Sequence, residues 1–266
     1  MNRNTFALIA VVVLAACASA PTALPPDRIA AIVASPDRSP GDRVNDERRK
    51  PAEMLAFIGV RPGMTALDVS AARGYTTELI PRAVGPTGKV YGQNRPPDPN
   101  RAPPPQAEGA SAPPAAGTPP PLPTFAQRQA NPALSNMVLV QRPFEDPAPP
   151  EVANGGLDLV TLMFNYHDFG HLGVDRASVN RAVFKALKPG GIYVIADHSG
   201  RPGTGIGESG TLHRVEEAFV VKEVEAAGFR LASRGDFMRN PNDPRDRNTP
   251  NPPMPKDEFV LKFVKP

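Results

Sequence analysis

The feature that most constrains this chain is the order of its apolar runs. Five short runs, Ala66–Val69, Lys89–Gln93, Met137–Val140, Leu157–Phe164 and Ile192–Ala196, are interleaved with helical patterns at Tyr75–Val84 and Arg176–Leu187. A further helix, Val215–Ala227, ends at Gly228, and two last strand-like runs, Phe229–Phe237 and Glu258–Val264, follow with no helix between them. Continuous apolar runs of this length suit parallel strands covered on both faces. Alternation with helices supplies the crossovers that a parallel sheet needs. The expectation is an α/β fold: a seven-stranded, mostly parallel sheet with helices on both faces and a C-terminal antiparallel hairpin.

The stretch Thr65–Leu79 carries the most chemistry. A strand ends in Asp68, a turn of small residues (Ser70, Ala71, Ala72, Gly74) follows, and a helix begins at Tyr75. Strand, small-residue turn and helix bring backbone N–H groups and a helix N-terminus up to a ligand. The stretch resembles motif I of the class I S-adenosylmethionine-dependent methyltransferases, an acidic residue followed by Gly-x-Gly-x-Gly, with Ser70 and Ala72 in place of the first two glycines. The Leu-Lys-Pro-Gly-Gly turn at 187–191 is similar to a turn frequent in that superfamily. Asn165-Tyr-His-Asp, His213-Arg214 and the Asn-Pro-x-Asp-Pro-Arg loop at Asn240–Arg245 resemble a group of bacterial methyltransferases of undefined substrate.

That resemblance implies a Rossmann-like sheet and S-adenosylmethionine as cofactor. Asp68, Ser70, Ala72 and Gly74 would hold its amino-acid end, with the glycine allowing close backbone approach. Asn94 (or Gln93) would meet the ribose in place of the usual acidic residue. Glu145 or Asp146 would face the adenine, and Asn165 would line the cofactor cleft.

Ligands of open α/β sheets bind beyond the carboxyl ends of the strands. All four histidines, His167, His171, His198 and His213, fall there, accompanied by Asp168, Asp197 and Arg214. His167, Asp168, His198 and His213 are the candidate catalytic residues, as bases or orienting groups toward a methyl acceptor. The same side chains suit Zn²⁺, but there is no His-Glu-x-x-His motif or cysteine pair, and no metal is assigned. A Gly-x-Ser-x-Gly elbow is absent, which excludes a serine hydrolase of that type. The glycine-rich loop Gly200–Gly210 reads as a mobile lid.

The N-terminus carries an address. Arg3 precedes the apolar run Phe6–Ala15, which is too short to span a bilayer, and Leu14-Ala-Ala-Cys17 resembles a bacterial lipobox. Cys17 is the only cysteine, so it is the expected lipidation site and no disulfide can form within one chain. The alternative is a plain signal peptide cleaved after Ala18–Ala20. Residues 1–16 are then the signal peptide, 17–41 a Pro/Ala/Ser-rich tether, and 42–266 the methyltransferase-like domain, facing the periplasm from a lipid anchor. Residues 95–124 contain twelve prolines among thirty residues and read as a disordered insertion. A net charge of +3, with no basic cluster, gives no reason to expect nucleic acid as a partner. The partners expected are the membrane and a small-molecule acceptor. S-adenosylmethionine is made in the cytoplasm, so an exported chain either receives it or keeps the cleft without the activity. The two functions are therefore methyl transfer and a non-catalytic, lipid-anchored domain binding a small molecule or metal.

Overall fold

The computed structural model describes residues 22–97, 120–248 and 254–266. Three helices open it: α1 (Pro26–Val33), α2 (Pro40–Arg49) and α3 (Pro51–Ile58). Strand β1 (Thr65–Val69), helix α4 (Tyr75–Val84) and strand β2 (Lys89–Asn94) come next, then α5 (Phe125–Gln129) and β3 (Met137–Gln141). The chain continues through β4 (Leu157–Met163), α6 (Asp168–His171), α7 (Arg176–Ala186) and β5 (Leu187–His198). It closes with α8 (Ser209–Leu212), α9 (Glu217–Ala226), β6 (Arg230–Gly235) and β7 (Glu258–Val264). The seven strands form one sheet in the order β3-β2-β1-β4-β5-β7-β6. Its first five strands are parallel, and β7 runs antiparallel to both β5 and β6. This is the sheet expected from the order of apolar runs.

Period-2 alternation divides the core. Leu67, Val160, Ile195 and Leu261 point to the face covered by α7 and α9. Ala66, Leu159, Val194 and Val260 point to the face covered by α1, α3 and α4.

Four expectations need correction. Residues 26–41 do not form a tether, because Pro26–Val33 is a helix that buries Ile29 and Ile32 against α3 and α4. Two isoleucines three residues apart make a narrow apolar stripe, easily lost among prolines and alanines. Ser39 caps α2, accepting from Asp42 N at 3.0 Å. The loop Gly200–Gly210 is also not a free lid: Gly200 N donates to Val215 O (2.8 Å) and Gly205 N to Glu216 Oε2 (3.0 Å). Strand β5 is longer than expected and runs through Lys188-Pro-Gly-Gly, where Gly190 N donates to Lys265 O at 2.8 Å. Cys17, the signal segment and residues 98–119 of the insertion lie outside the described residues. Residues 120–124 pack on the domain, where the Arg73 guanidinium donates to Leu122 O at 2.9 Å.

Candidate active site

The turn after β1 keeps a glycine-like path without the glycines. Ser70 and Ala72 adopt φ of 56° and 50°, in the left-handed region that costs an L-residue roughly 1–2 kcal/mol. Side chains from the end of β2 offset that cost. Gln93 Oε1 accepts from Ser70 N (3.0 Å), and Asn94 bridges both backbone groups of Ala72, at 2.8 and 3.0 Å. Asn165 Nδ2 reaches Ser70 O at 3.3 Å. Gly74 (φ 83°) caps α4, and a Cβ there would meet Phe125 and Arg128 at 3.0–3.2 Å. The packed turn itself therefore requires a glycine here.

Beneath the turn lies a cavity of about 180 Å³. Asp68, Ser70, Ala72 and Asn165 line it together with Arg49, Tyr75 and Leu122. Asp68 is buried and accepts from Thr77 Oγ1 (2.5 Å) and Thr161 Oγ1 (2.6 Å). Burial pushes its carboxyl up to about 6, against the pull of both threonines and Arg49. Arg49 stacks on Phe164, 3.9 Å from the ring centroid. Burial, helped by Arg48, lowers Arg49 to about 10. Its guanidinium has no ion pair among the described residues, whereas Arg128 nearby is bound to Asp42 (2.8 Å on both oxygens), Glu78 and Arg73 O. Sequence reasoning missed Arg49, since a basic pair ending a helix is already explained by the helix dipole.

Asn94 is at this site but committed to Ala72. Glu145 and Asp146 are not among the cavity's lining residues: Glu145 Oε1 accepts from Asp175 N at 3.3 Å, and Asp146 pairs with Arg142.

The histidines form one row. Ring centroids of His198 and His167, His167 and His213, and His213 and His171 are 5.4, 5.6 and 5.6 Å apart. Buried Asp197 organises the row: Oδ2 accepts from His167 N (2.8 Å), while Oδ1 is 2.6 Å from His167 Nδ1 and accepts from His198 N (2.8 Å). His167 Nε2 lies 3.0 Å from Asp168 Oδ1. Burial opposes a charge on His167, but the two carboxylates override it and raise the imidazole to about 9. An imidazolium between carboxylates donates protons and is no resting general base. Burial holds His198 below its usual range despite Glu258, whose Oε1 is 2.9 Å from Nδ1 without hydrogen-bond alignment.

Arg214 and the Asn240–Arg245 loop are one structural unit. Arg214, fully buried, pairs with Asp243 at 2.8 Å and donates to Ser199 O, while Asp243 also accepts from Asp257 N.

No protein-family model and no curated protein matches the sequence. Solved structures do match. A SAM-dependent methyltransferase from Aquifex aeolicus aligns over 91% of this chain and 100% of its own, with 18% identity and a TM-score of 0.57. A chain of the complex containing the Haloferax volcanii Trm112 methyltransferase activator aligns over 90% and 96%, with 16% identity and a TM-score of 0.55. An arsenic(III) S-adenosylmethionine methyltransferase from Chlamydomonas reinhardtii covers 91% of this chain and 74% of its own, at 16% identity and a TM-score of 0.51. The chain thus has the Rossmann-like fold of the class I S-adenosylmethionine-dependent methyltransferases.

Proposed function

We propose that this protein transfers a methyl group from S-adenosylmethionine to a small acceptor held at the histidine row. The observation that carries this reading is that Arg49, without an ion pair among the described residues, and protonatable Asp68 line the same cavity below the β1 turn. A carboxylate and an ammonium on one ligand answer those two groups, and an amino acid's head carries both. Asn94 would reach ribose hydroxyls only after releasing Ala72, and an adenine contact at Glu145 or Asp146 likewise requires those carboxylates to leave their present partners. S-adenosylmethionine supplies an electrophilic methyl on a sulfonium. On the row, His167 and Asp168 would orient the acceptor with His213, and His198 would take its proton.

The address belongs to the same proposal: lipidation at Cys17 would hold the domain on the periplasmic side of a membrane. Among the described residues no helix is long and apolar enough to cross one. Cys17→Ala should move the protein out of the membrane fraction, and unchanged fractionation would refute the anchor.

A second reading, a lipid-anchored domain that binds without catalysis, is favoured by two observations. The Ser70 and Ala72 N–H groups are occupied by Gln93 and Asn94, and the cavity is smaller than the ~300–1,000 Å³ usual for ligand sites. Calorimetry on the mature chain with S-adenosylmethionine and S-adenosylhomocysteine tests the cofactor binding that the first reading requires. Saturable binding weakened about tenfold or more by Arg49→Gln supports the transferase. An absence of heat at millimolar ligand supports the second reading.

A further inference from the structure

We propose that His167, Asp168 and His213 bind one divalent first-row transition-metal ion, with Zn²⁺ as the probe. The inference goes beyond methyl transfer and does not depend on it. Asp168 Oδ1 stands 3.0 Å from His167 Nε2 and 3.3 Å from His213 Nδ1, and the three donor atoms lie within 4.8 Å of one another. Ligands at ~2.0–2.2 Å from a tetrahedral ion are about 3.4 Å apart, so small side-chain adjustments admit the ion. Two imidazoles and one carboxylate suit Zn²⁺ or a similar ion, whereas Mg²⁺ and Ca²⁺ prefer oxygen ligands throughout.

The surroundings are built for this donor set. Buried Asp197 takes the His167 Nδ1–H at 2.6 Å and is itself fixed by two backbone N–H groups. That carboxylate–histidine contact sets the ring orientation and leaves Nε2 aimed at Asp168, the outer-shell arrangement usual behind a metal-bound imidazole. On binding, the ion takes the place of the Nε2 proton, which leaves to solvent. His171 Nδ1 is not a donor to the ion in this arrangement. Ser209 Oγ gives its one hydrogen to His167 O, so His171 Nδ1 must donate to that oxygen at 3.0 Å. The approach is open, since the His213 and Asp168 side chains are 40% and 27% exposed. A fourth coordination position would remain for water or an oxygen or sulfur group of a small ligand.

The tag-free full chain, stripped with chelator and dialysed, is titrated with Zn²⁺ by calorimetry, with Co²⁺ absorption as the reporter of geometry. The result expected is one Zn²⁺ per chain and the visible bands of four-coordinate Co²⁺. Asp168→Asn and His213→Asn should each weaken binding about a hundredfold or more, with circular dichroism unchanged. Asparagine is chosen at 213 because it tolerates the left-handed φ of 51° found there. The proposal is overturned if the wild type shows no saturable Zn²⁺ uptake, or if uptake is the same in both variants.

Discussion

Asp68 and Asp197 end two parallel strands of one sheet, both buried, and they are used in opposite ways. Asp197 accepts three N–H groups within 2.8 Å, all from His167 and His198. Asp68 accepts two hydroxyls, faces Arg49 across a cavity, and has its carboxyl raised by burial. A carboxylate saturated by N–H donors is spent on holding its neighbours. One with weaker partners beside a cavity retains capacity for a ligand. The two carboxylates therefore divide the work: Asp197 positions the histidine row, and Asp68 retains capacity for a ligand of its own.

The largest effect should come from breaking the first. Asp197→Ala strips three donors of their acceptor and should cost about 3–5 kcal/mol in urea unfolding. Asp68→Asn should be neutral or stabilising at pH 7; a loss as large as that of Asp197→Ala would erase the contrast.

The second effect is a pH dependence. The Asp68 carboxyl sits at about 6 when folded, against ~3.9 unfolded, so the folded state holds its proton more tightly. Its contribution is fully present below about pH 4 and is lost as pH rises through 6, about 2–3 kcal/mol in all. Wild-type stability relative to Asp68→Asn should fall by that amount between pH 4 and 7. Parallel pH profiles for the two proteins would refute the assignment. A cationic ligand on Asp68 would bind more tightly above pH 6, and Asp68→Asn should flatten that dependence.

A smaller effect concerns the cover over the Asp68 corner. Exchanging residues 98–119 for a short Gly/Ser bridge should shift stability by no more than about 1 kcal/mol, because loop entropy varies slowly with length. Carrying the deletion through Arg128 should cost several times more, since it leaves Asp42 and Glu78 buried without their guanidinium. Thermal melts of both deletions decide this, and equal losses would show that 98–119 also packs.

The smallest effect is at the turn. Ser70→Gly and Ala72→Gly relieve left-handed strain but enlarge the unfolded ensemble, so each should change stability by less than about 1 kcal/mol. A loss well above that from Ala72→Gly, in matched denaturant titrations, would mean that the Cβ itself contributes to the turn.

The sheet was legible because strand and helix periods are local properties of the chain. The runs from Ala66 to Val264, and the missing helix before the last strand, determined the order of layers and the terminal antiparallel pair. The histidine row was legible only as a count, four of four beyond strand ends. Which of them meet depended on α6 and α8 being held together by Ser209. Helix α1 escaped notice because its burial rests on two isoleucines whose partners are in α3 and α4. Arg49 was invisible as a site residue because its place beside Phe164 and Asp68, with no ion pair among the described residues, is a relation that only the fold creates. The sequence by itself determined the fold, since backbone hydrogen bonding and apolar periodicity act over a few residues. Tertiary structure decided the chemistry, because the charge state of a buried carboxyl or imidazole depends on neighbours that the chain brings together across a hundred residues or more.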